Sequence, residues 1–409
     1  MIKLTSKDVP ESDEPSQGAG MRNVTALGLV SFFTDFSTEM ILGILPLFIV
    51  GTLGASRVIL GAIEGSAELT SYAFRMVSGS LSDKVGKRKI FVVAGYAAST
   101  VTKPFFAASS SWLDAFVVRM GDRVGKGLRT APRDALIADS VPEKSAGKAF
   151  GIHRTIDQMG AILGPVAAFA LLQIMDIRGI FLMSLIPGII AVLILIFVVK
   201  EVAIKKRRVN ATFLSNIRGL LKENRPFVLL LVISGIFSLG AFNFSFVLLR
   251  ASDLGVQKEM IPLVYAVINV AHTAIGIPSG VLADKIGKEK MLIMGYAVFA
   301  VSSLLMVLLS GNFIYAYVLA AVFGLYVGIS ETVQRAVVPR FVSSELRGTA
   351  FGLFNLVIGV CFFASNVVFG FLWDNFSLAT AVSYSMTATA IAGAGMSLFV
   401  RKYRMQAVN

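Results

Sequence analysis

Long apolar stretches, separated by short polar connections, recur along the chain from Asn23 to about Val400. A helix that crosses a bilayer needs roughly 20 mostly apolar residues, so this pattern predicts about twelve transmembrane helices. It leaves no room for a large soluble domain, and we therefore predict an all-α integral membrane protein. The helices are expected to begin near Asn23, Val58, Ile90, Trp112, Gly147, Ile177, Phe227, Ile261, Met291, Phe313, Gly348 and Leu378.

The polar segments predict how the chain is divided and oriented. Residues 200–226 are too polar to cross a membrane and contain the basic run from Lys205 to Arg208. The connections "SDKVGKRK" and "ADKIGKEK" are also basic, whereas "AASSSW" and "LSGNF" contain no lysine or arginine. Basic connections stay in the cytoplasm. We therefore predict six-helix bundles at 23–199 and 227–400, a cytoplasmic linker at 200–226, and cytoplasmic tails at 1–22 and 401–409.

Composition excludes several kinds of function. Hydrophobic residues make up 55% of the 409 residues. The net charge of +13 would suggest a nucleic-acid partner in a soluble protein, but here the bases lie mostly in connections, so none is expected. The polar first segment lacks the apolar core of a signal peptide, and we expect it to be disordered. Two histidines and one cysteine are too few for a usual metal site, and we predict no metal and no cofactor.

The two halves of the chain repeat each other. "GSLSDKVGKRK" from Gly79 returns as "GVLADKIGKEK" from Gly280, and "GKAFG" from Gly147 returns as "GTAFG" from Gly348. Both pairs are offset by about 201 residues, so one six-helix unit has been used twice. Two pseudo-symmetric halves with a cavity between them are typical of transporters.

These repeated residues resemble the signature of the major facilitator superfamily, Gly-x-Leu-x-Asp-(Arg/Lys)-x-Gly-(Arg/Lys)-(Arg/Lys), and the similarity extends from Asn23 to about Val400. The resemblance implies that superfamily's fold and a gating role for the motif, which is understood to stabilise the outward-facing state. A solvated basic turn would explain the bases but not the recurring glycines and aspartate. The gating residues are Gly79, Asp83, Lys84, Gly86, Lys87 and Arg88, with Gly280, Asp284, Lys285 and Gly287 in the second copy.

Two further motifs are similar to those of drug:proton antiporters in the same superfamily. "RVGKG" approximates Arg-x-x-Gln-Gly, with Arg123 at the arginine position and Lys126 in place of the glutamine. Proton coupling is attributed to this arginine in drug-exporting relatives. "GAILGPVAAF" resembles the antiporter motif Gly-x3-Gly-Pro but lacks its trailing Gly-Gly, and the same glycines also suit ordinary helix packing.

Charged residues of the fourth predicted helix form one stripe. On a helical wheel they fall within an arc of about 120°, and a charge at mid-bilayer costs about 3 kcal/mol or more. The stripe must therefore face a watery cavity or opposite charges. Acids spaced i,i+4 on the first two helices offer such counter-charges, as does the fifth helix. The stripe consists of Arg119, Asp122, Arg123, Lys126, Arg129 and Arg133, and the acids are Asp35, Glu39, Glu64, Glu68 and Asp157.

Each acid has two interpretations. It can form a buried ion pair that holds the helices together, or it can exchange a proton because burial favours its neutral form. The proton-coupling candidates are Asp35, Glu39, Arg123 and Asp157. The candidates for a substrate cavity are Glu64, Glu68, Arg119, Asp122, Lys126 and His272, although a lone histidine also suits simple packing.

The leading hypothesis is a proton-coupled secondary transporter that exports a small organic solute by alternating access. The alternative is proton-coupled uptake of an organic anion through the same cavity. An ATP-driven pump or membrane enzyme is disfavoured, because the glycines of "GDRVGKG" are too close for a phosphate-binding loop. We predict a non-enzymatic monomer in the cytoplasmic membrane whose partners are the solute, protons and lipid.

Overall fold

The fold was analysed in a computed structural model that describes residues 17–202, 213–343 and 346–403. These residues form helices and no strand, which confirms the predicted all-α class. The first half contains α1 (Gln17–Leu42), α2 (Leu45–Leu47), α3 (Arg57–Val85), α4 (Arg88–Thr102), α5 (Trp112–Ser140), α6 (Ala146–Leu172), α7 (Ile177–Met183) and α8 (Leu185–Phe197). Then follow α9 (Phe213–Glu223), α10 (Arg225–Gly240), α11 (Phe244–Asp253), α12 (Ile261–Ile286), α13 (Lys288–Leu308), α14 (Ile314–Val337), α15 (Arg347–Asn375) and α16 (Leu378–Tyr403).

Nearly all of these helices belong to segments that are long enough to span a membrane. In the described part of the chain, nine helical segments are long and apolar enough to cross a membrane. Three of these segments join two shorter helices end to end: α1 with α2, α7 with α8, and α10 with α11. The helices α3, α5 and α16 are as long but more polar, and they complete a set of twelve in these ranges. The polarity of α5 comes from the charged stripe, which the fold turns away from lipid.

The predicted boundaries differ from the structure at both tails and in the linker. α1 begins at Gln17, before the predicted start at Asn23, and residues 1–16 lie outside the described residues. α16 continues to Tyr403, into the predicted C-terminal tail. Within the predicted linker, Phe213–Glu223 form α9, whose buried Leu220 shows that one face is packed against the bundle. The basic run from Lys205 to Arg208 lies outside the described residues.

The two halves meet along two pairs of helices, α3 with α15 and α6 with α12. The approach of α3 to α15 is closest near the start of α3. A Cβ added at Gly61 would lie 2.1 Å from the carbonyl oxygen of Asn366, and one at Gly65 would lie 2.7 Å from the Cα of Phe363. At this end of the bundle, glycines let the two backbones touch.

The opposite end, which carries the basic connections, is open. A Cβ added at Gly147, Gly151 or Gly348 would have no atom within 4 Å. Asp83, in the last turn of α3, has a side chain that is 46% exposed. The halves are therefore in close contact at the end that contains the start of α3, which we call the closed end, while the end that bears the repeated motif has exposed glycines and an exposed Asp83.

We expect Gly61→Ala to lower the thermal unfolding midpoint of the purified protein. The added methyl group would overlap the Asn366 carbonyl and force α3 away from α15, at a cost of about 1–3 kcal/mol. Gly147→Ala is the matched control, since its methyl group would enter open space. Equal midpoints for the two variants would contradict the close packing of α3 on α15.

Candidate functional site

A cavity of about 660 Å³ lies between the two halves. Its first-half wall comes from α1, α3, α5 and α6, and its second-half wall from α10, α11, α12, α14 and α15. The two walls differ in chemistry. The first-half wall is rich in charged side chains, whereas Glu331 is the acid among the second-half lining residues, which are mostly aromatic or neutral polar in the described chain.

The lining includes many of the predicted site residues. Asp35, Glu39, Glu68, Arg123, Lys126, Asp157 and His272 all line the cavity. Three predicted cavity residues are instead placed behind its wall, at 1–2% exposure: Glu64, Arg119 and Asp122. The helical wheel identified a polar face correctly, but that face is shared between the cavity and the contact of α5 with α3 and α4.

The residues behind the wall form a buried ion-pair network. Arg119 Nη2 donates to Glu64 Oε2 at 2.6 Å, and its Nη1 lies 3.6 Å from Asp122 Oδ2. Ser99 Oγ donates to Asp122 Oδ1 at 2.5 Å. These charges are removed from water and paired with one another. The contacts therefore favour a structural ion pair over solute binding for Glu64, Arg119 and Asp122.

Arg123 connects this network to the cavity. Its guanidinium lies 3.8 Å from Asp122 and 3.7 Å from Glu68, which lines the cavity. Both Nε and Nη1 of Arg123 are buried without a geometrically satisfactory hydrogen-bond acceptor in the described chain. The pairing of Arg123 with Glu68 is therefore loose and leaves donor capacity at the cavity edge.

Two carboxyl groups adjoin each other on the side of the cavity formed by α1 and α6. Asp35 and Asp157 are close enough for a side-chain hydrogen bond, and such a bond requires a proton on one of them. Arg154 Nη1 also donates to Asp157 Oδ2 at 3.2 Å. The other oxygen of Asp157 is buried and accepts no N–H or hydroxyl donor among the described residues. A proton shared with Asp35 would supply the missing donor.

Two contacts cross the cavity from the acids of the first half to the second half. Tyr265 of α12 donates its phenol hydrogen to Glu39 Oε2 at 2.5 Å. Arg154, which binds Asp157, also lies 3.6 Å from Glu331 of α14, and His272 Nε2 lies 3.8 Å from the same carboxylate. The acids of α1 and α6 are therefore in contact with side chains of the second half.

The other side of the first-half wall, formed by α3 and α5, carries bases. Arg129 is 3% exposed and its guanidinium lies 4.6 Å from the ring centre of Tyr96. Arg75 lies 5.8 Å from the ring centre of Tyr72. Lys126 also lines the cavity on this side. Sequence analysis placed Arg129 on the charged stripe of the fourth helix, but it selected neither Arg129 nor Arg75 as a site residue.

The repeated motif makes its contacts within each half. In the first copy, Arg88 pairs with Asp83 at 3.3 Å and with Asp139 at 2.7 Å, and Glu201 accepts the backbone N–H of Arg88 at 3.1 Å. Gly86 ends α3 with φ of +73°, a conformation that favours glycine. In the second copy, Gly287 has φ of +102°.

The closed end is held by an ion-pair cluster that sequence analysis did not identify. Arg57, at the start of α3, lies 3.3 Å from Asp374 and 3.8 Å from Asp253, both in the second half. Its guanidinium also lies 4.7 Å from the ring centre of Trp373. Neither Arg57 nor Asp374 belongs to a motif that could have identified this cluster from the sequence.

Comparisons with known proteins agree with the fold. The family model described as Major Facilitator Superfamily matches residues 27–366. An uncharacterized MFS-type transporter of Methanocaldococcus jannaschii is 38% identical over 385 residues, covering 91% of this chain and 93% of the relative. Multidrug resistance protein MdtG of Salmonella typhi is 25% identical over 284 residues, covering 67% of this chain and 69% of MdtG.

Solved structures share the architecture at low sequence identity. The nucleoside transporter NupG superposes with a TM-score of 0.74 at 12% identity, covering 93% of this chain and 99% of NupG. A bacterial homolog of the human lysosomal transporter Spinster, in an inward-facing and unoccupied conformation, gives a TM-score of 0.66 at 17% identity, covering 94% and 95% of the two chains. At these identities the likeness concerns the fold.

Proposed function

The chain belongs to the major facilitator superfamily of membrane transporters, and we propose that it exports a small organic solute in exchange for protons by alternating access. The observation that carries this proposal is the adjoining pair of Asp35 and Asp157 in the cavity between the halves. Two carboxyl groups in contact hold one proton, and loss of that proton leaves two negative charges together. Such a pair is suited to bind and release a proton once per cycle.

Contacts across the cavity support coupling of this proton to movement of the halves. Glu39 accepts a hydrogen bond from Tyr265, and Arg154 lies between Asp157 and Glu331. A change in the charge of the Asp35–Asp157 pair alters how strongly Arg154 is held by the first half. Arg123, loosely paired with Glu68, is placed to respond to the same change from the α5 side.

Gating is assigned to the two ends of the bundle. With the halves closed at the Arg57 cluster, the cavity opens toward the basic connections, which we infer are cytoplasmic from their charge. We infer that in the opposite state Asp83 reaches the first turn of α15, where free backbone N–H groups favour an anion. Both termini are then cytoplasmic, and the protein acts as a monomer.

Similarity to proteins named multidrug resistance protein MdtG supports export. Uptake of an organic anion by the same cavity is the second candidate, and the bases of α3 and α5 favour it. Direction is tested in everted and right-side-out membrane vesicles with radiolabelled 2-naphthoate, 2-naphthamide and 2-naphthylmethylamine. We expect at least one probe to accumulate in everted vesicles with an acid interior, without dependence on ATP once the gradient is imposed.

Vesicles that lack the protein provide the background for this experiment. Collapse of the pH gradient by an ionophore should return accumulation to that background. Accumulation in right-side-out vesicles instead would favour uptake. Movement that needs ATP and not the gradient would contradict secondary transport.

A further inference from the structure

Within the part of the chain that the structure describes, three bases on one side of the cavity have no salt-bridge partner. No carboxylate lies within salt-bridge distance of Arg75, Lys126 or Arg129 among the residues that the structure describes. We call these three residues the basic patch. They belong together because α3 and α5 touch here: a Cβ added at Gly127 would lie 3.2 Å from the backbone nitrogen of Arg75. Lys126 and Arg129 are three residues apart and therefore share a helix face.

The basic patch also contains donors without acceptors. Arg129 is 3% exposed, and its Nη1 is buried with no hydrogen-bond partner in the described chain. The Nε of Arg75 is in the same situation. A buried guanidinium donor that is not satisfied costs free energy, and an anion within reach removes that cost.

By contrast, each acid that lines the cavity has a partner. Asp157 is bound to Arg154, Asp134 lies 2.8 Å from Arg133, and Glu68 lies 3.7 Å from Arg123. The remaining acids of the lining also have contacts. Asp35 adjoins Asp157, and Glu39 accepts a hydrogen bond from Tyr265. Glu331 lies near Arg154 and His272. In the lining that the structure describes, the bases with no carboxylate at salt-bridge distance therefore lie together on the side of α3 and α5.

The second-half wall of the cavity is aromatic. Phe237, Phe323 and Tyr326 line it, and they are packed against one another and against further rings. Phe354 and Phe362 of α15 extend this surface. These rings are held in place by their neighbours, so the surface is preformed for a flat apolar body.

We propose that the solute of this cavity is an amphipathic organic anion. Its carboxylate or similar anionic group binds the basic patch, and its aromatic or other flat apolar body lies against the second-half rings. This assignment rests on the proposed transporter function but holds for either direction. Arg119 is occupied by its buried ion pair with Glu64. Anion recognition is therefore assigned to Arg75, Lys126 and Arg129.

Binding is tested by thermal stabilisation of the purified full-length protein with four probes. The probes are 2-naphthoate, 2-naphthamide, 2-naphthylmethylamine and acetate, which separate charge from the aromatic body. We expect 2-naphthoate to raise the unfolding midpoint at concentrations where the other three have no effect. Equal or stronger stabilisation by the amide or the amine would overturn the proposal, as would no stabilisation by 2-naphthoate up to its solubility limit.

Variants locate the anionic group. Arg75→Gln and Lys126→Gln should each weaken 2-naphthoate binding about tenfold, the loss expected for one charge-assisted hydrogen bond. Arg129→Gln should do the same, and Arg129→Lys should recover part of the affinity. Lys144→Gln is the matched control, because Lys144 is an exposed base outside the cavity. Wild-type affinity in both Arg75→Gln and Lys126→Gln would place the anion elsewhere, even if Arg129 variants fail to fold.

The outcomes separate this inference from the proposed function. If 2-naphthylmethylamine is carried along a pH gradient while 2-naphthoate does not bind, proton-coupled transport stands and the anion assignment fails. If 2-naphthoate binds through the basic patch but no probe moves with a gradient, the anion assignment stands and the transport mechanism fails.

Discussion

Asp35→Asn is expected to reduce gradient-driven solute transport to the protein-free background while leaving solute exchange close to the wild-type rate. The asparagine side chain can still hydrogen-bond to Asp157, but it cannot ionise, so the pair can no longer take up and release a shared proton. Exchange of labelled for unlabelled solute needs the halves to alternate but needs no net proton movement. The two rates are measured in the same proteoliposomes, with and without an imposed pH gradient.

Glu143→Gln is the matched control, since Glu143 is an exposed carboxylate outside the cavity and should behave as wild type in both assays. Glu39→Gln should resemble Asp35→Asn in gradient-driven transport, because Glu39 receives the Tyr265 hydrogen bond that crosses between the halves. Wild-type pH dependence in both cavity variants would refute the assignment of proton coupling to these acids. Loss of exchange as well as driven transport would indicate a structural role.

The sequence alone predicted the fold closely, for a physical reason. A membrane-spanning helix must satisfy its backbone polar groups internally and must present apolar side chains over a fixed length, so spans are visible as apolar stretches. α5 and α7 begin at the predicted Trp112 and Ile177. The repeat of the Gly79 motif at Gly280 then predicted two related halves.

The candidate site could be predicted only in part. A helical wheel shows which residues share a face, but it does not show which neighbouring helix covers each turn of that face. Arg119 and Arg123 lie on the same stripe, yet Arg119 is covered by Glu64 of α3 while Arg123 lies at the cavity edge. The lack of an acid partner for Arg129 could not be predicted either, because it depends on how far the acids of the neighbouring helices lie from its guanidinium in the described chain.

Contacts between distant parts of the chain could not be predicted from the sequence. Arg57 and Asp374 are separated by 317 residues, and neither belongs to a motif. Their pairing depends on how closely α3 approaches α15, which the glycines at Gly61 and Gly65 permit. Such glycines are common in membrane helices, so their presence alone did not predict which pair of helices would touch.

The buried pair of Arg119 and Glu64 should have the largest effect on stability. Arg119→Met leaves the Glu64 carboxylate buried without its guanidinium, whereas Asp122 keeps Arg123, and we expect it to lower the free energy of unfolding by about 3–5 kcal/mol. Both members of the pair are 1% exposed, so water cannot replace the lost partner. The free energy is measured by denaturant unfolding in mixed micelles.

The double variant Arg119→Met/Glu64→Gln should recover much of this loss, because the acid left alone in the single variant is then neutral. Arg154→Met is the matched control: Arg154 also pairs with two acids, but its side chain and that of Glu331 are each 45% exposed. The buried Asp157 keeps Asp35 as a hydrogen-bond partner, so the loss should be close to the 0–1 kcal/mol typical of exposed pairs, at about 1 kcal/mol. If Arg119→Met is no more destabilising than Arg154→Met, then the Arg119–Glu64 contact does not stabilise the fold as a buried ion pair. In that case the division between the buried network and the cavity acids would have to be redrawn.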